Sequence, residues 1–382
     1  MKIVLHIGAW KTGSSAIQMF LRKNLRRLKP HGVIVPPMAK QAKGHQKVFS
    51  CLVHGDEDAF RPFQEQLQGL AEEHPEGVAV ISSEHYWPMR PDRIAIVAER
   101  LRRVTDDVEV LLYVRAQDDM WASLYAQEAK FFRVTTKTAK WGNYDYMGGD
   151  ITDRAIYYDA CLANFRDAFG ADRVHARSYT RDAFVGGDVI RDFLAFVGLA
   201  STDNLVFDSF DRNPSLGWKG VSFSIWFAET LHARLTETNE EPRIPIRKAF
   251  ALTYSEVKKR FRDQDWVGRA AEIFDEAERR EIREHYAEDN RALFDRYFGG
   301  ANVFGEVKSS AATPLDAARI PEKQWRYATG RLYVNFKRQG LNVAAIESDL
   351  VPRRVDRAIL DAIENSPLGW FDRKTKAELL KE

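Results

Sequence analysis

Short apolar runs alternate with amphipathic stretches along the first 200 residues. KIVLHIG (2–8) is branched, apolar and closed by a glycine, which predicts a buried strand. SSAIQMFLRKNLRRL (14–28) then sets Ile17, Phe20, Leu21, Leu25 and Leu28 on one helical face. Its hydroxyls stand at the start. Arg22, Lys23, Arg26, Arg27 and Lys29 crowd its end, as the helix dipole favours, and Pro30 helps to stop it. GVIVPP (32–37) predicts a second strand, and helical stretches follow around 41–54 and 57–73. Three strand–helix pairs continue the pattern: GVAVISSEH (77–85) with a helix at 92–104, VEVLLYVRA (108–116) with one at 118–132, and DRVHARSYT (172–180) with one at 188–199. Strands this apolar are covered on both faces. The expected fold class is therefore α/β: a phosphate-loop-type parallel sheet of about five strands flanked by helices, with ligands bound where the strands end.

Beyond residue 200 the pattern turns helical, around 218–236, 244–262 and 266–296. EVKSSAATPLD (306–316) is small and polar and reads as a linker. The segment 317–382 is helix-prone and carries Trp325, Tyr327, Tyr333, Phe336, Trp370 and Phe371, too aromatic for a disordered tail. The expected organisation is a main domain over 1–305, a linker over 306–316 and a helical C-terminal extension over 317–382. That extension either folds back on the main domain or makes a homo-oligomer.

Composition narrows the chemistry. The 382 residues hold 57 Lys and Arg against 55 Asp and Glu, a formal net charge of +2. A balance of that kind does not point to a general nucleic-acid binder, so any basic site is local. Two cysteines, Cys51 and Cys161, supply neither a disulfide framework nor a metal cluster, and read as reduced, buried thiols. No signal peptide and no membrane-length apolar run is visible, so the expected location is cytoplasmic.

The chemistry concentrates after the first strand, in HIGAWKTGSS (6–15). A strand, a turn with Gly8 and Gly13, and a helix opening at Ser14 make a nest of backbone N–H groups at the positive end of a helix dipole. Ser14 and Ser15 add hydroxyl donors, and Lys11 adds a point charge. The nucleoside-triphosphate loop GxxxxGK[ST] is not met, because Gly13 is followed by serine and no convincing apolar strand ends in a magnesium-holding Asp. A small-molecule kinase is weakened accordingly.

The order KTGSS resembles the 5′-phosphosulfate loop of sulfotransferases, P-K-[ST]-G-[ST]-[ST], with Trp10 in place of the proline. The donor in that family is 3′-phosphoadenosine 5′-phosphosulfate (PAPS). The resemblance implies that Lys11, Thr12, Gly13, Ser14 and Ser15 hold the 5′-phosphosulfate, with Lys11 at the bridging oxygen. It also implies an Arg and a Ser for the 3′-phosphate. LLYVRAQDDMWASLY meets the family's R-x7-S-x-Y pattern with Arg115, Ser123 and Tyr125. Read without the family, Arg115 is a strand-end arginine paired with Asp118 or Asp119. The family's late basic loop has only a poor counterpart in Trp218–Lys219–Gly220, with Arg260 and Arg262 competing.

The family's base stands at the end of the strand between the two donor motifs. Here that position is ISSEHYW, with Glu84 and His85 adjacent and on opposite sides of an extended chain. The S-S-E order resembles bacterial carbohydrate-type members and implies Glu84 as base, with His85 second. Read alone, Glu84 caps a helix or pairs with Arg90. His45, Trp141 and Tyr144 are the candidates for the acceptor, a small molecule or glycan; the aromatics suit sugar rings. No metal is expected. The resemblance covers roughly residues 1–300 as a pattern. Two rivals stand beside it: the phosphate-loop kinase, and a sulfonucleotide-binding module without catalysis.

Overall fold

The computed structural model describes residues 1–40, 44–54, 56–87, 89–134, 141, 156–199, 202–207, 215–240, 242–268, 270–309 and 311–350. The chain divides into two compact units that do not follow chain order: Met1–Tyr125 with Lys140–Asn213 and Ile273–Ala312, and Ala126–Ala139 with Pro214–Glu272 and Thr313–Glu382.

The first unit is built on five parallel strands: β1 (Lys2–His6), β2 (Val33–Ile34), β3 (Val78–Ser82), β4 (Val108–Val114) and β5 (Val174–Ser178). Their spatial order is β2-β3-β1-β4-β5. The expected α/β fold is present. β1 lies in the middle, paired with β3 from Lys2↔Val78 to His6↔Ser82, and with β4 from Ile3↔Val108 to His6↔Leu111. Ile3, Leu5, Ala79, Val80, Val110, Leu111 and Leu112 are wholly buried, as a sheet covered on both faces requires. The chain leaves β1 toward the β2 side and leaves β4 toward β5. Neighbouring strands with opposite exits open a crevice at their C-terminal ends, between β1 and β4.

Two expected elements are shorter than their patterns. GVIVPP forms a strand only at Val33–Ile34, and from Pro37 the chain turns into the helix Pro37–Lys40. The helix expected over 14–28 is two helices, Ser14–Lys23 and Leu25–Leu28, broken at Asn24. The cause is a polar anchor. The buried Asn24 amide donates to the carbonyls of Phe20 and Val206 (3.1 and 3.0 Å), and its oxygen accepts from Val206 N (2.8 Å). Similarly, 266–268 and 270–275 are not helical, and the rest of that expected helix is Glu276–His285 and Ala287–Tyr297. Asp275 starts the first of these with a capping box to Glu278. At the break, Tyr286 is buried and its hydroxyl accepts from Trp121 Nε1 at 3.1 Å.

In the second unit the helices Trp218–Thr230, Arg243–Phe261 and Glu322–Arg338 enclose Phe223, Phe227, Phe250, Trp266 and Phe336. A buried polar set fastens two of them: Arg331 pairs with Glu256, and Asn335 donates to Thr253 Oγ1 (3.1 Å) and to Glu256 (3.0 Å). The described part of the C-terminal extension is therefore packed within this unit. Lys219 is not a solvated helix charge. It is buried and paired with Asp263 and Gln324. Cys51 and Cys161 are free thiols, half-buried rather than buried. Among the described residues no helix is long and apolar enough to cross a membrane.

Candidate anion-binding site at the ends of strands β3, β1 and β4

Three neighbouring strands deliver the site. After β1 the loop passes Gly8 (φ 37°), Lys11 (φ 60°) and Gly13 (φ 83°) before the helix Ser14–Lys23 begins. These left-handed angles curl the chain so that N–H groups face a common centre. Gly8 is required there, since a Cβ would stand 2.3 Å from Ser14 Oγ. At Lys11 a residue with a Cβ takes the same conformation at an energetic cost, a form of strain that recurs where a side chain must be aimed. Thr12 is fully buried, and its hydroxyl donates back to Ala9 O at 2.6 Å, closing the loop on itself. Ala16 N and Ile17 N already donate to Gly13 O, which leaves the N–H groups of Ser14 and Ser15 without intrahelical acceptors. No acidic side chain sits in that turn, and Gly13 supplies no side-chain cap. Ser14 Oγ is buried there without a hydrogen-bond partner among the described residues. An orphaned hydroxyl at a helix N-terminus is a donor waiting for an acceptor.

β4 sits beside β1 and brings Arg115 to this loop across 104 residues of sequence. Its Nη1 donates to Lys11 O (3.3 Å) and to Ser123 Oγ (3.0 Å) on the helix Gln117–Lys130. Tyr158 braces the strand end by donating from its hydroxyl to Arg115 O at 2.8 Å. Asp118 and Asp119 do not take the guanidinium. Asp118 is buried against Arg279 (2.7 Å) and Arg283, while Asp119 holds Arg279 (3.1 Å) and Lys308 (2.9 Å). Neither Lys11 nor Arg115 forms an ion pair with a described residue. Burial pushes the Lys11 ammonium below its ordinary range, the Arg115 charge pushes it further, and the Glu84 carboxylate pulls it partly back. An anion placed between the two cations would relieve that repulsion.

β3, on the other side of β1, ends in Ser82, Ser83, Glu84 and His85. The Ser82 hydroxyl bonds the buried His6 Nδ1 at 2.8 Å, and Gln18 Nε2 reaches Ser82 O at 3.3 Å. Ser83 N donates to His6 O (3.1 Å), and Ser83 Oγ accepts from His85 N (3.3 Å). Both serines are thus spent on fixing the turn. Glu84 is half-buried and makes no hydrogen bond with a described residue. Its charge acts on Lys11, so it stands on the side of the phosphate loop. His85 packs on the Phe49 ring (5.3 Å between centroids). Arg90 is engaged with Asp92 rather than Glu84 (3.2 Å).

The structure therefore brings Lys11, Gly13, Ser14, Arg115, Ser123 and Glu84 to one crevice, with Thr12 buried in its loop and Ser15 exposed at the helix start. Trp141 lies against His285, with ring centroids 5.0 Å apart. The His45 side chain and Tyr144 lie outside the described residues. Sequence reading missed Gln18 and Tyr158, whose partners are 64 and 43 residues distant. Among the described residues no group of three or more His, Cys, Asp or Glu could hold a metal ion.

No family model and no curated protein matches the chain. Among solved structures, the crystal structure of the sulfotransferase from Alicyclobacillus acidocaldarius is similar at a TM-score of 0.36 and 18% identity. The match covers 60% of this chain and 92% of that one. A likeness of that size carries no argument about chemistry, which has to come from the side chains.

Proposed function

We propose that the chain is a sulfotransferase that transfers a sulfuryl group from PAPS to a hydroxyl of a small-molecule or carbohydrate acceptor. The observation that carries the reading is the Arg115 guanidinium bridging Ser123 Oγ and Lys11 O, which joins two separated motifs into one anion site. The orphaned Ser14 hydroxyl and the two cations without ion-pair partners among the described residues support it, because together they fit a ligand with anionic groups at both ends.

In this reading the helix N-terminus, Ser14 and Ser15 take the 5′-phosphate, and Arg115 with Ser123 takes the 3′-phosphate. The acceptor oxygen forms its bond to sulfur as the bond from sulfur to the bridging oxygen breaks. Glu84 receives the acceptor proton. Lys11 stabilises the charge that develops on the bridging oxygen, and 3′-phosphoadenosine 5′-phosphate leaves. The second reading, a kinase, lacks any observation of its own.

The test is isothermal titration with 3′-phosphoadenosine 5′-phosphate, in parallel with ATP plus magnesium. Wild type binds the bisphosphate without metal. Arg115→Ala loses on the order of 10²–10³-fold in affinity, the worth of one or two charge-assisted hydrogen bonds. Preference for ATP with magnesium, or indifference to Arg115, would sink the sulfotransferase reading.

The same titration carries a pH prediction. Lys11 binds an anion in its charged form, and its pKa lies below that of an ordinary lysine. Affinity therefore falls as pH rises through that lowered value, before the usual lysine range is reached. Lys11→Arg stays charged and loses this alkaline limb. An equal pH profile in the two proteins would show that Lys11 does not hold the anion.

A further inference from the structure

Ten of the 57 Lys and Arg residues lie within the first 55 positions, where there is no Asp or Glu; all 55 acidic residues follow. Five of those ten fall between Arg22 and Lys29. Arg22, Arg26, Arg27 and Lys29 are exposed, and none of the four forms an ion pair with a described residue. The helix dipole explains basic residues in the last turn of Ser14–Lys23, where Arg22 and Lys23 stand. It does not explain Arg26, Arg27 and Lys29. They belong to the four-residue helix Leu25–Leu28 and the turn Lys29–His31, too short to carry a useful dipole. Like charges crowded on neighbouring turns repel one another, so the patch is held at a cost.

Its position separates it from the anion site. Val33 and Lys2 both pair with Val78, so the chain has returned to the level at which the strands begin. Helical rise over Ser14–Lys23 sets Lys23, where the patch begins, about 13 Å from Ser14. A partner bound to the patch leaves the crevice open.

We infer that this patch is a docking surface for an anionic membrane. The patch carries no exposed Phe, Tyr or Trp to stack a base or a sugar ring, only the His31 imidazole beside Lys29, which disfavours nucleic acid and glycan chains. No exposed large hydrophobic residue lies within it; those of the described residues are Val185, Ile244 and Leu252. Attachment is then electrostatic adsorption onto an array of acidic head groups, reversible and sensitive to salt. Each cation near such a surface contributes about fivefold in affinity, and four contribute on the order of several hundredfold.

The experiment is sedimentation of the full chain with vesicles of phosphatidylcholine alone and of phosphatidylcholine with phosphatidylglycerol. The comparison protein carries Arg22→Glu, Arg26→Glu, Arg27→Glu and Lys29→Glu, with thermal melting as the folding control. Wild type binds the anionic vesicles only, salt releases it, and the variant loses several hundredfold. If the charge-reversed protein does not fold, Gln at the same four positions replaces Glu. No binding of wild type to anionic vesicles, or equal binding by the variant, overturns the inference. So does tighter binding to heparin or duplex DNA than to vesicles, which would make the patch a polyanion site. None of these outcomes depends on the donor or on turnover.

Discussion

Glu84→Gln leaves binding of 3′-phosphoadenosine 5′-phosphate unchanged and slows sulfuryl transfer by about 10²–10⁴-fold, the usual worth of a positioned base. The substitution keeps the size of the side chain and removes its ability to take a proton. Two features make Glu84 the stronger choice over its neighbour. It stands on the side of Lys11, whose pKa it raises, and no described residue engages its carboxylate. His85, by contrast, packs on Phe49. The measurement is release of the bisphosphate from labelled donor in the presence of screened hydroxyl compounds, with titration of the bisphosphate as the control. His85→Ala in the same assay changes the rate far less. The reverse ranking would transfer the role of base to His85, and loss of bisphosphate binding in Glu84→Gln would make the carboxylate a structural part of the donor site.

Asp118→Ala destabilises the first unit by about 3–5 kcal/mol, as breaking a buried ion pair by removal of one partner does. Asp118 is fully buried and Arg279 is 2% exposed, so the guanidinium keeps its contact to Asp119 but loses its nearer partner with no water to replace it. Arg283 loses the same partner. Denaturant unfolding followed by tryptophan fluorescence reads the loss as a lower midpoint. A change below about 1 kcal/mol would place the pair with exposed salt bridges and contradict its burial. Asp118 opens the helix that carries Ser123, so bisphosphate affinity falls together with stability.

How much of this was legible in the sequence depends on distance along the chain. The strand, glycine turn and hydroxyl-rich helix start from 2 to 15 are a local pattern, and the strands and helices of the first unit were read from periodicity with modest errors at their ends. The errors have long-range causes. Asn24 breaks a well-formed amphipathic helix because Val206, 182 residues away, needs its amide. Lys219 reads as a surface charge until Asp263 is folded against it. The central place of β1 cannot be derived from any strand taken singly, because register is set by partners 76 and 105 positions further on. Gln18 and Tyr158 carried no signal at all. A glutamine on the polar side of a helix and a tyrosine at a helix start look the same whether or not they brace a site.

The placing of β1 bears on how the protein is made. β1 leaves the ribosome with both of its edges waiting for β3 and β4, which are synthesised later. Lys11 and Arg115 meet only after a 104-residue loop has closed. Every shorter nascent chain carries an apolar strand with open edges beside a loop that has nothing yet to bind with. The candidate anion site is thus completed late in assembly: a chain in which Arg115 reaches Lys11 has already set its three central strands in order.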